Sequence, residues 1–280
     1  MHIDPKSKHT IPLETSQSAR SLYNFQHIYL RIGDELDNIF SGIDVALFDP
    51  TSRLDTLSLS RLALATSFQL AEDISDNQAA EATFQRLDWK FALFLPVKHP
   101  GLSERELCGF RQGLLSTSQG LREFGLLLIE LKKLGLFPLS THFLAEPQTE
   151  LNHICQVTLL YALKVQIKEA LGMLVSLAPD WLVQHVSPHW YERYSTQRFN
   201  PGSAPVNGNL THEANRLGMD VWHLLDVLVR EDTGDLAHKP EIQSLIRLFQ
   251  NQFALDGDSV QWQAINCVDC SFYQPGKGGL

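Results

Sequence analysis

The side chains able to do chemistry in this chain are few and scattered. His142 and Glu146 stand four apart, as do His185 and His189, a spacing that can place two metal ligands on one helical turn. The second pair straddles Ser187-Pro188, and the proline argues against a shared helical face. Cys267 and Cys270 form a C-x-x-C with no second pair after it, a weak zinc signal, and no βαβ context supports redox chemistry. No Gly-rich phosphate loop, Walker pattern or Ser/His/Asp constellation is visible. No metal and no cofactor is expected.

Cations and aromatic rings offer a different chemistry, the grip on nucleic acid. Arg105 and Arg111 fall in one helix-periodic stretch that comes after a turn, where a helix-turn-helix would present groove contacts. Arg86, Lys90, Lys98 and Arg122 would then hold phosphates. Between Arg53 and Lys133, however, ten basic residues face ten acidic ones, so an evenly solvated surface explains them equally well. Trp181, Trp190, Tyr191 and Tyr194 resemble a base-stacking platform, but their helical spacing favours core packing.

The elements that must position these residues read as helices. Residues 1–20 lack periodicity and are expected to form a loose arm. A helical pattern runs from Leu22 to Phe48, and another over Leu57–Phe68. Ser75-Asp-Asn-Gln78 and Ser103-Glu-Arg-Glu106 have the form of capping boxes, each opening a helix. A further helix starts at Ser118 and is stopped by Gly135, with Lys132 and Lys133 in its last turn. Beyond the breaks at Pro138 and Pro147, a long apolar pattern covers Leu151–Leu177. Ser187-Pro188 opens a short helix, and two more are expected over 211–231 and 240–255. Val260–Trp262 is a strand candidate. The chain thus divides into three parts: an arm and helix over 1–56, a helical DNA-binding candidate over 57–135, and a second helical region over 136–280.

Composition narrows the class. The chain has 280 residues, room for two compact domains, and 44% hydrophobic against 20% charged residues is ordinary for a globular protein. No apolar run approaches a membrane span, and residues 1–12 lack the apolar core of a signal peptide, so a cytoplasmic protein with no membrane partner is expected. Four cysteines do not make a disulfide framework, and Cys108 and Cys155 read as small buried hydrophobes. The net charge of −9 argues against strong DNA binding, since phosphate neutralisation supplies much of that affinity.

Several ordered segments carry a resemblance. Arg61-Leu-Ala-Leu-Ala-Thr66, Gln69 to Ala80 and Leu87-Asp-Trp-Lys-Phe-Ala-Leu93 are similar to the central signature of the InsH-type helical N-terminal domain of bacterial insertion-sequence DDE transposases. Phe110-Arg111 to Leu115 resembles that domain's closing helix. Ala178-Pro-Asp-Trp-Leu182 and Trp190-Tyr-Glu-Arg-Tyr194 resemble the helical insertion after the family's first catalytic strand. The likeness extends over about residues 20–262. It implies a mostly α fold: a helix-turn-helix-like N-terminal domain, then a helical region corresponding to the insertion of an incomplete RNase H-like domain.

Two departures from the family bear on activity. The family's Asp-Ser-Thr-His motif corresponds here to Leu139-Ser140-Thr141-His142, and leucine cannot ligate a divalent metal. The family's second Asp and its Glu would fall beyond Leu280, so His142 reads as a leftover of the altered strand rather than a ligand. The resemblance thus implies a transposase-derived chain without catalysis that binds terminal-repeat DNA. The alternatives are a regulatory protein that pairs with itself or an intact transposase, and a decayed fragment without a role.

Overall fold

The computed structural model describes residues 9–51, 53–137, 147–194, 209–230, 235–257 and 259–263. It is mostly helical, with one small sheet among the described residues. Two compact units divide the chain, the first running through Cys155 and the second starting at Gln156. The division differs from boundaries at 56 and 135. Residues before 56 contribute Tyr29, Ile32, Leu36 and Phe48 to the same core as Phe68, Trp89 and Phe124, so they form one body with residues 57–135.

The first unit is built from α1 (Leu13–Leu22), α2 (Ile28–Asp34), α3 (Leu36–Ile39), α4 (Thr56–Glu72), α5 (Asp76–Gln85), α6 (Leu87–Ala92), α7 (Glu104–Leu115) and α8 (Ser118–Lys133). The loose arm expected over residues 1–20 is instead helical from Leu13. Its Ala19 is buried with Leu30 and Phe91, and Thr15 donates to the Leu95 carbonyl at 2.8 Å. The pattern over Leu22–Phe48 is broken into α2, α3 and a 3-10 turn at Val45–Leu47, each short piece held by the core rather than by its own length.

Both capping boxes form. Ser75 accepts from the Gln78 amide while Gln78 reaches back to the Ser75 amide, and Ser103 and Glu106 repeat the exchange. The cap of α4 is Asp55, which accepts from the Ser58 amide at 2.7 Å. Gly101 adopts φ +86, and a Cβ there would sit 2.8 Å from the Thr83 hydroxyl, so this turn admits only glycine without strain. As expected, α8 stops at a glycine, Gly135, with φ +90.

A long helix, α9 (Pro147–Leu177), starts in the first unit and continues in the second. No residue from Leu151 to Ile167 is exposed, which its apolar side chains on every face require. The second unit adds α10 (Pro179–His185), α11 (Pro188–Tyr194), α12 (Leu210–Arg230), α13 (Pro240–Gln252) and the hairpin β1 (Phe253–Asp256) and β2 (Ser259–Trp262). The strands pair antiparallel, Phe253 opposite Trp262 and Asp256 opposite Ser259. Phe253, Val260 and Trp262 join Leu217, Val221, Leu245 and Trp190 in the second core. Helix α13 ends three residues before the expected 255 because the chain turns into β1.

Candidate functional site

Helix α7, expected to carry groove contacts, packs against α4, α5 and α8. Its burial stems from its sequence, with Leu107, Phe110, Arg111 and Leu114 on the inner face. Arg111 is fully buried (0% exposed), and its two terminal nitrogens donate to the two Asp76 carboxylate oxygens at 2.6 and 2.5 Å. Gln69 completes the cluster, its side-chain amide donating to Asp76 at 2.8 Å. The expectation of Arg111 at a DNA groove is thereby corrected. The guanidinium joins α7 to the start of α5 in a paired, charge-assisted bond, the only cheap way to bury it.

Lys90 is also inside. It is 5% exposed, and its ammonium donates to the Val97 and His99 carbonyls at 2.5 and 3.0 Å, fastening the turn before α7. Desolvation holds its pKa below the ordinary lysine value. Arg86 is half-exposed and bound to two carboxylates, Glu72 at 2.6 Å and Asp88 at 2.8 Å. Burial alone would lower its pKa, but the bonds to Asp88 and Glu72 outweigh that and raise it. Arg122, on α8, is exposed, and of the other five residues proposed for DNA, Arg105 and Lys98 are the ones presented to solvent without such a role. They lie on α7 and on the turn before it. The outer face of α7 carries Arg105, Gly109 and the half-buried Gln112, and a Cβ at Gly109 would meet no atom within 4 Å.

The Leu139, Ser140, Thr141 and His142 segment lies outside the described residues, as do Glu146, Cys267 and Cys270. His185 and His189 lie on different helices, α10 and α11, as the intervening proline suggested. His185 Nδ1 lies 2.8 Å from the Trp181 carbonyl, while the His189 amide donates to the Ser187 hydroxyl. Among the described residues no group of three or more His, Cys, Asp or Glu side chains is arranged around a metal position. Core packing, expected for all four aromatic residues, holds for Trp190 and Tyr194 and in part for Trp181, but not for Tyr191. Trp190 and Tyr194 are buried edge to face, with centroids 5.3 Å apart, while Tyr191 is 80% exposed. Cys108 and Cys155 are corrected from packed thiols to disulfide-bonded cysteines. Structural disulfides belong mainly to oxidising compartments, so cysteine usage gives no support to a cytoplasmic address. No described helix is long and apolar enough to cross a membrane.

Three polar clusters escaped sequence reasoning because their members are far apart in the chain. Around Glu72, the Tyr29 hydroxyl and the Trp89 indole donate to one oxygen and Arg86 to the other. Burial and the Glu72 bond push the Tyr29 pKa well above its usual value. In the second unit, the Tyr194 hydroxyl and Arg193 both donate to Asp220, whose pKa is raised by desolvation despite those partners. The third joins Asp37, His9 and Ser60. His9 Nδ1 is 3.0 Å from the Asp37 carboxylate and Nε2 is 3.3 Å from the Ser60 hydroxyl. The order is that of a hydrolytic triad, yet Ser60 is 1% exposed and its hydroxyl donates to the Thr56 carbonyl at 2.8 Å. A nucleophile that substrate cannot reach performs no acyl transfer.

Comparison with known proteins leaves this geometry to speak alone. No protein-family model matches the chain, and neither the curated proteins nor the solved structures gave a match.

Proposed function

We propose that the chain is a transposase-derived protein without strand-transfer activity that acts by pairing with protein, either itself or an intact transposase of the kind it resembles. The observation that carries this reading is the internal use of its cations. Arg111 and Lys90 are buried and Arg86 is bound to two carboxylates, so little of the expected basic face is left for phosphate. What the outer face of α8 offers instead is Arg122, Leu126, Ile129 and Lys133 at spacings of four, three and four, an aliphatic pair between two cations. That is the spacing of a helix-pairing seam. The absence of strand transfer rests on Leu139, which stands where the resembled family has its first carboxylate.

Sedimentation of the full chain, alone and mixed with an intact transposase of the resembled kind, tests this. A complex that dissociates in a Leu126→Glu, Ile129→Glu variant supports the reading. A chain that stays monomeric in both settings at tens of micromolar overturns it. DNA is the second reading, favoured by the open face of α7. There Arg105 and Gln112 are residue types that read base edges, and Gly109 lets a partner come close. Lys98 would add a phosphate contact.

A further inference from the structure

Helix α8 has one stripe to offer a partner. Its opposite face is committed to the first core through Phe124, Leu127, Leu128 and Leu131, so no other stripe can turn outward. Leu126 and Ile129 stand outside, 36% and 39% exposed, with Arg122 on one side and Lys133 on the other. The four positions are symmetric about the midpoint of the aliphatic pair, and that symmetry fixes what a second copy would meet. Paired antiparallel, Leu126 of one copy faces Ile129 of the other, and Arg122 faces Lys133. Paired parallel and in register, Arg122 faces Arg122 and Lys133 faces Lys133. Either way, two copies gather like charges at the ends of a short aliphatic contact, which opposes their association.

The acidic residues of α8 do not reverse that balance. Glu123 is 9% exposed and accepts from the Asp44 amide at 3.0 Å. Asp44 itself turns a carboxylate oxygen to the Ala46 amide at 3.2 Å. Glu130 lies beside the stripe, 2.7 Å from the Lys133 ammonium of its own helix, and offsets that one cation. An antiparallel pair of copies is therefore left with one uncompensated cation at each end. In the parallel pair, the two Arg122 side chains meet with no carboxylate of α8 between them.

Building on the pairing proposed above, we infer that the partner of α8 is an acidic amphipathic helix rather than a second copy. Its matching stripe carries an aliphatic pair between two carboxylates at the same spacing. Such a helix turns both like-charge contacts into ion pairs, and the Arg122 guanidinium can grip its carboxylate with two parallel bonds. The apolar area on offer is small, because Leu126 and Ile129 are already more than half covered by the fold. Charge, not burial, then decides which helix is taken.

The test uses the full chain and a charge-reversed full chain, Arg122→Glu with Lys133→Glu, as the acidic probe. The probe's α8 presents the same aliphatic pair between carboxylates, and circular dichroism checks that these exposed changes leave the fold intact. Sedimentation is measured for each chain alone and for their equimolar mixture, at about 50 and 500 mM salt. The mixed pair should form at least roughly tenfold more tightly than either chain with itself at the lower salt. That preference should shrink at the higher salt, where exposed charges are screened, and Leu126→Glu with Ile129→Glu in either chain should abolish the mixed pair. A parent chain that pairs with itself as tightly as with the probe overturns the inference but leaves the pairing reading standing. So does a chain that binds the intact transposase through Leu126 and Ile129 yet ignores the probe. A mixed pair that survives the two aliphatic substitutions is held elsewhere and also overturns it. No association in any of these mixtures removes both the inference and the reading beneath it.

Discussion

Replacing Arg111 by methionine should destabilise the first unit's core rather than merely weaken a surface. The guanidinium is fully buried, and two of its nitrogens satisfy both oxygens of Asp76, itself 2% exposed. Methionine fills much of the volume but takes both guanidinium bonds away from a buried carboxylate. Breaking one side of such a pair costs about 3–5 kcal/mol. For a unit of this size the melting temperature should fall by roughly 10 °C. Adding Asp76→Ala removes the stranded charge, so the double variant should recover a large part of the loss instead of summing two penalties. Urea and thermal unfolding monitored by circular dichroism measure all three chains. If Arg111→Met stays within about 1 kcal/mol of the parent, the pair is not structural and the case for an internally used cation fails.

Lys90→Met should cost about 1–3 kcal/mol in the same urea series, because the Val97 and His99 carbonyls lose their shared donor. Ser103→Ala should cost about 1 kcal/mol by removing the cap of α7, with no change in the second unit's hydrogen exchange. The Asp73–His153 pair, 2.7 Å apart, predicts a shallow pH dependence. The His153 hydrogen bond lowers the Asp73 pKa, and the Asp73 bond raises that of His153. Its contribution should therefore be present between about pH 4 and 6.5, lost at higher pH as His153 deprotonates and at lower pH as Asp73 protonates. Both side chains are about half exposed, so the effect should stay below about 1 kcal/mol. Asp73→Asn, which tolerates the left-handed φ of 53° there, should flatten the profile in stability measurements from pH 4 to 8.

Much of the helical scaffold was legible because its signals are local. The Ser75 and Ser103 boxes, the Gly135 stop and the Ser187-Pro188 start each rest on residues within a few positions of one another, and each forms. The short helices α1 to α3 were less legible, since their stability comes from burial against distant residues such as Phe91 and Trp89. The same reason explains the misplaced Arg111. A helical wheel shows which residues share a face, and Arg111 shares one with Leu107 and Leu114. Sequence spacing alone gave no sign that Asp76, thirty-five residues earlier, would be there to receive its charge. The His9 cluster spans 28 residues to Asp37 and 51 to Ser60, beyond the reach of any spacing rule.

Whether the cations of the first unit serve its core or a DNA surface is decided by the salt dependence of DNA binding. A labelled duplex bearing the terminal repeat of a resembled insertion sequence would be titrated with the full chain, by fluorescence anisotropy, from 50 to 200 mM salt. Five cations acting together would release counterions with a log–log slope of about −4.5, and two with a slope of about −2. With Arg111 and Lys90 buried and Arg86 bound to two carboxylates, binding should be weaker than roughly 10 μM at the upper salt, with a slope no steeper than about −2. That residual binding should vanish in an Arg105→Ala, Lys98→Ala variant. Submicromolar binding with a slope near −5 would contradict the claim that these cations serve the protein's own core.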